Sequence, residues 1–86
     1  MPKLILMGSI RQYAGGLGTV EVEGATVRAA VAALERFHPA LRGWVVDEQG
    51  ALRRHVKLFV RSEAVSLDAT LGPREELHIV AAISGG

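Results

Sequence analysis

Cysteine does not occur in this chain. Its absence excludes disulfides, thiolate metal sites and a cysteine nucleophile together, and it fits a reducing, cytoplasmic compartment. Asparagine is missing as well, as in chains selected against thermolabile residues. There is no long apolar run. The opening MPKLILMGSIRQ has one Lys ahead of a stretch that turns polar by Ser9, too short for a signal peptide's apolar region and far too short to span a bilayer. An excess of one charge sign is lacking too: ten Lys and Arg oppose nine Asp and Glu, for a net charge of +1. No footprint for nucleic acid or an anionic membrane therefore stands out. The short basic group Arg53, Arg54, His55 reads as a solvated strand entrance.

What is present suffices for one domain spanning 1–86. A chain of 86 residues, 49% hydrophobic and 22% charged, is ordinary for a folded protein and too short to divide into two cores. Lys3 to Ser9 places Leu4 and Leu6 on one face of a strand and Ile5 and Met7 on the other. The glycines of YAGGLGT mark a turn, and in TVEVE Val20 and Val22 alternate with Glu21 and Glu23. These segments predict an N-terminal hairpin.

GATVRAAVAALERFHP predicts a helix. Thr26 can cap it, and Val27, Ala30, Val31, Leu34 and Phe37 recur at helical spacing opposite Arg28, Glu35 and Arg36. Pro39 ends it by pushing the preceding residue out of helical geometry. Trp44 follows at the core or its edge, and WVVDEQGALRR reads as a short strand, a turn at Glu48–Gly50 and a return. HVKLFV alternates Val56, Leu58 and Val60 against Lys57 and Phe59; AVSL is a brief strand or arm; GPREE is a turn; ELHIVAAI alternates Leu77, Ile79 and Ala81 against His78, Val80 and Ala82. One helix on one sheet is an α+β, two-layer architecture. Its expected core is Leu4, Leu6, Val31, Leu34, Leu58, Leu77 and Ile79.

That assignment leaves Ile5, Met7, Phe59 and Val80 on the outer sheet face, with Lys57 and His78. Two readings compete for this face. In one, loops and the AVSL arm cover it; in the other it docks another protein, with Met and aromatic side chains supplying adaptable packing.

The end of the chain bears on the choice. A strand-like run gives way to Ser84, Gly85 and Gly86, so a short flexible carboxylate would project from a rigid sheet. Activating a carboxylate requires one oxygen to attack a phosphate in line, inside another protein's active site. Glycine has no Cβ, so such an end can be drawn through a narrow channel and leave its acyl carbon open to a nucleophile. Other candidates are weaker. His38, His55 and His78 lack ligand spacing, Gly15, Gly16 and Gly18 precede a strand where a dinucleotide fingerprint needs a helix, and the serines have no recognisable base.

The opening strand with SIRQYAGG, the helix TVRAAVAALERFHP and the closing HVKLFVRSEAVSLDATLGPREELHIVAAISGG resemble the MoaD/ThiS family of ubiquitin-like sulfur carriers, and RRHVKLFVRSEAV is more similar to CysO-like members. The resemblance implies a β-grasp fold, a mixed sheet of about four to five strands packed on one main helix. It implies a carrier and co-substrate, with no bound cofactor or metal. An E1-like adenylating enzyme (MoeB/ThiF-like) would use ATP and Mg²⁺ to activate the carboxylate of Gly86, with Gly85 beside it, and a persulfide would convert it to a thiocarboxylate. A downstream sulfur-accepting enzyme, such as a molybdopterin synthase large subunit or a cysteine synthase, would take the sulfur. Met7, Phe59, Val80 and Ser84 are the expected partner-binding residues. A lysine-conjugated modifier and a plain interaction domain are the alternatives. Gly72, Pro73 and Arg74 stand where an acidic residue followed by Gly is common, and Arg61 and Ser62 replace a frequent Asn-containing turn.

Overall fold

The computed structural model describes residues 1–81, so Ser84, Gly85 and Gly86 lie outside the described residues. Strand β1 (Lys3–Gly8) is followed by the one-turn helix α1 (Ile10–Tyr13), β2 (Thr19–Glu21), the main helix α2 (Val27–Phe37), β3 (Val56–Val60), β4 (Glu63–Ala64) and β5 (Glu76–Ala81). The sheet order is β2-β1-β5-β3-β4. The expected hairpin is present, with Lys3 opposite Glu21 and Ile5 opposite Thr19, and β1 and β5 form a parallel central pair. A five-stranded mixed sheet carrying one main helix is the β-grasp arrangement that the resemblance implied.

Helix α2 forms for the reasons its sequence suggests. The Thr26 hydroxyl accepts the Ala29 amide, satisfying an N-terminal N–H that no helical carbonyl can reach. Val27, Ala30, Val31, Ala33 and Leu34 are buried on the sheet. Phe37, expected on that face, is 69% exposed. The chain turns at His38 into a single 3-10 turn, Pro39–Leu41, which brings Leu41 into the core at that end and leaves Phe37 outside.

All seven residues expected in the core are buried, and Ile10, Val22, Val45, Leu67 and Leu71 join them. Each fully buried Leu or Ile contributes about 2 kcal/mol of transfer free energy. Ile10 enters because α1, an element the sequence did not suggest, turns it inward. Between Trp44 and Arg54 the turn is present, but the strands reduce to one bridge, Val46 with Leu52. The Asp47 carboxylate accepts the amides of Gln49 and Ala51, a local alternative to a ladder. Those bonds, Ala51 foremost, together with the nearby Arg53 charge, hold the Asp47 carboxyl below its ordinary value.

The arm after β4 does not lie on the outer face. Its backbone meets the start of α2: the amides of Val27 and Arg28 donate to Ala69 and Leu67, and the amide of Leu71 donates to Ala25. Arg28 ties the same corner down by donating to the Gly50 carbonyl and pairing with Asp68.

Candidate functional site

Alternation of side chains about the strands sets what the outer face presents. In register across it run Thr19, Ile5, His78, Phe59 and Ala64 in one row, and Met7, Val80 and Lys57 in the next. Met7 is 44% exposed; Ile5, Phe59, His78 and Val80 are half-buried, and Lys57 is exposed. Met7 and Val80 are direct cross-strand partners, and Phe59 lies one row away on the same face. The structure thus brings together three of the residues singled out in the sequence. With the arm packed on the helix side, the covering of this face that the sequence left open is not provided by AVSL.

The described backbone ends beside these rows. Ala81 stands opposite Gly8 in the parallel pair and opposite Val56 in the antiparallel one. Its carbonyl accepts the Ser9 amide at 3.0 Å and the Ser9 hydroxyl at 3.1 Å. Gly8, at φ +85°, lies so close that a Cβ there would overlap the Ala81 carbonyl. Gly8 and Ser9 thus fix the last described residue of β5 to the sheet, and residues 82–86 continue from that anchored point. Sequence reasoning passed over both. The available signal was a Gly at the end of a strand pattern, which marks a close backbone approach.

The three histidines sit on different elements: His38 ends α2, His55 precedes β3 and His78 lies mid-strand on the outer face. Among the described residues no group of three or more His, Asp or Glu could hold a metal ion, and no helix is long and apolar enough to cross a membrane.

The ThiS family model matches residues 4–86. The chain belongs to the ThiS family. Over 68 residues, 78% of each protein, it is 37% identical to small archaeal modifier protein 1 of Haloferax volcanii. The crystal structure of that protein, SAMP1, superposes with a TM-score of 0.87 at 32% identity, covering 99% of this chain and 98% of the other. The crystal structure of the Amycolatopsis orientalis BexX/CysO complex contains a chain of equal likeness, TM-score 0.87 at 28% identity, with both chains covered in full. Urm1 of Trypanosoma brucei, at 14% identity and a TM-score of 0.75, shares the fold. This ThiS-family chain thus shares its ubiquitin-like fold with SAMP1, CysO and Urm1.

Proposed function

We propose that the chain is a sulfur carrier whose reacting group is the carboxylate of Gly86. The observation that carries this reading is the anchored Ala81: Ser9 and Gly8 hold the base of the C-terminal segment at the edge of the face bearing Met7 and Val80. A partner docked on that face would receive the chain end at a fixed distance, and binding energy gained far from the reacting atom would position it.

In this reading an E1-like enzyme of the MoeB/ThiF kind supplies ATP and Mg²⁺. One oxygen of Gly86 attacks the α-phosphorus and pyrophosphate leaves. A persulfide sulfur then attacks the acyl carbon and AMP departs with the bonding pair; a thiol cleaves the resulting acyl disulfide, releasing the thiocarboxylate. The mixed anhydride makes a poor electrophile a good one. A downstream enzyme, of the molybdopterin synthase large-subunit or cysteine synthase type, accepts the sulfur. Gly85 and Ser84, next to the reacting residue, would enter the partner's channel with it. CysO, in the complex named above, is crystallised with BexX, which supports a cycle in which the carrier docks on a partner protein.

Likeness to small archaeal modifier protein 1 favours a second reading, in which Gly86 is joined to a lysine amine of a target. Intact-mass analysis of protein isolated from cells separates them. Replacement of one oxygen by sulfur supports the carrier, whereas lysine adducts ending in this sequence support the modifier. Deleting Gly86 should abolish either product; retained biological activity without it would sink both.

A further inference from the structure

Residues 8–18, 36–46 and 51–60 contain no Asp or Glu, yet they hold six of the ten basic side chains: Arg11, Arg36, Arg42, Arg53, Arg54 and Lys57. Spread along the chain, they give no charge block. The fold collects parts of these stretches at one end of the sheet. Helix α1 follows the end of β1, where Gly8 faces Ala81, and His55 immediately precedes Val56, the other partner of Ala81. Trp44 closes the group, packing at a tilt of 40° against Tyr13 with centroids 4.2 Å apart and meeting His55 edge-on at 6.3 Å. Between them lies a cleft of about 320 Å³ lined by Arg42, Gly43, Trp44, Arg53 and His55. Arg53 donates through Nε to the Gly43 carbonyl, which sets its guanidinium in the wall. On its other side Arg53 lines a shallow hollow with Asp47 and Glu48, and the Asp47 Oδ1 already accepts two amides. At the other end of the sheet acids outnumber bases: Glu21, Glu23, Glu63, Glu75 and Glu76 stand with Lys3, Arg61 and Arg74, and Arg61 pairs with Glu75.

We propose that this cleft binds an acidic segment of the activating partner, beside the entrance that takes residues 82–86. The inference rests on the carrier reading above. Guanidinium forks match carboxylates, and the indole face adds apolar and cation–π area that a bare lysine patch lacks. Position supplies the partner. Five residues beyond Ala81 reach at most about 17 Å, so a protein that encloses them must cover the adjoining end of the sheet, including the cleft. The polarity of the molecule selects an acidic protein over nucleic acid. A polyphosphate backbone long enough to gain affinity would also meet the acidic end, whereas a local carboxylate cluster meets only the basic one. The expected role is orientation and speed of encounter.

Two measurements test it. The ¹⁵N-labelled full chain is titrated with hexaglutamate at low salt and followed by NMR. Shifts should centre on the Trp44 indole and the amides of residues 42–44, and Arg42→Glu with Arg53→Glu should remove them. Absent or evenly spread shifts overturn the proposal, as does tighter binding of a short RNA to the same residues. Second, ATP–pyrophosphate exchange is measured with the purified E1-like enzyme from the same cells. The double reversal should raise KM for the carrier at least about fivefold at low salt with kcat unchanged, the gap closing at high salt, while Arg74→Glu at the far end leaves KM alone. An unchanged KM for the double reversal overturns the cleft and spares the carrier reading. Failure of the wild-type chain to support exchange sinks the carrier reading, and with it this proposal.

Discussion

At Gly8 the backbone takes a left-handed conformation, φ +85°, and the position a Cβ would occupy is filled by the Ala81 carbonyl. Two costs therefore coincide. A side chain at such φ is unfavourable by about 1–2 kcal/mol, and relief of the overlap must separate β1 from β5 where the Ser9 bonds hold them. Gly8→Ala should lower unfolding free energy by about 2–4 kcal/mol in urea titrations. Hydrogen exchange of the Ser9 amide should accelerate with it, because that amide donates to Ala81. An Ala variant as stable as wild type would show that the end of β5 is not anchored in this way.

The β3–β4 hairpin shows how an element can be right in outline and costly in detail. Arg61 and Ser62 form its two-residue loop, both at positive φ, +50° and +66°. Two left-handed residues give the turn whose twist suits a tight hairpin, and Asn-Gly usually occupies it. Arg61 has a compensation in its ion pair with Glu75; Ser62 makes no side-chain hydrogen bond among the described residues. Ser62→Gly removes the Cβ penalty where nothing depends on the hydroxyl, so stability should rise by about 0.5–1 kcal/mol, read as a Tm increase of about 3–6 °C. Such departures explain what the sequence made legible and what it did not. Strands β1, β3 and β5 show their period of two, and α2 carries both its spacing and its Thr26 cap; local rules dictate these. Local rules do not say that β1 and β5 pair in parallel at the centre of the sheet, and the roles of Gly8 and Ser9 exist only through that pairing. For the same reason Met7 and Val80 could be assigned to a face by alternation, while the meeting of Arg42 with Arg53 and His55 around Trp44 depends on tertiary closure. Phe37 fits the helical stripe by angle and misses the core because the chain turns just beyond it.

At the scale of the whole molecule, two surfaces flank the anchored Ala81: the outer sheet face, with Met7 and Val80 in register, and the basic cleft around Trp44. They should contribute differently to one encounter. Charges at the rim govern how fast and in which orientation partners meet, and salt weakens them; apolar side chains packed in the centre govern how long the complex lasts. Met7→Asp separates the two. Because Met7 is 44% exposed, the substitution should change unfolding free energy by no more than about 0.5 kcal/mol. In the complex it would leave a carboxylate facing apolar surface without a partner, so KM in ATP–pyrophosphate exchange should rise about tenfold or more. That rise should persist at high salt, where the effect of reversing Arg42 and Arg53 disappears, because burying an unpaired charge is a desolvation cost that mobile ions do not screen. If Met7→Asp instead responds to salt as the arginine variants do, the outer face acts by long-range charge alone. In that case the apolar packing against the partner must be sought elsewhere on the molecule.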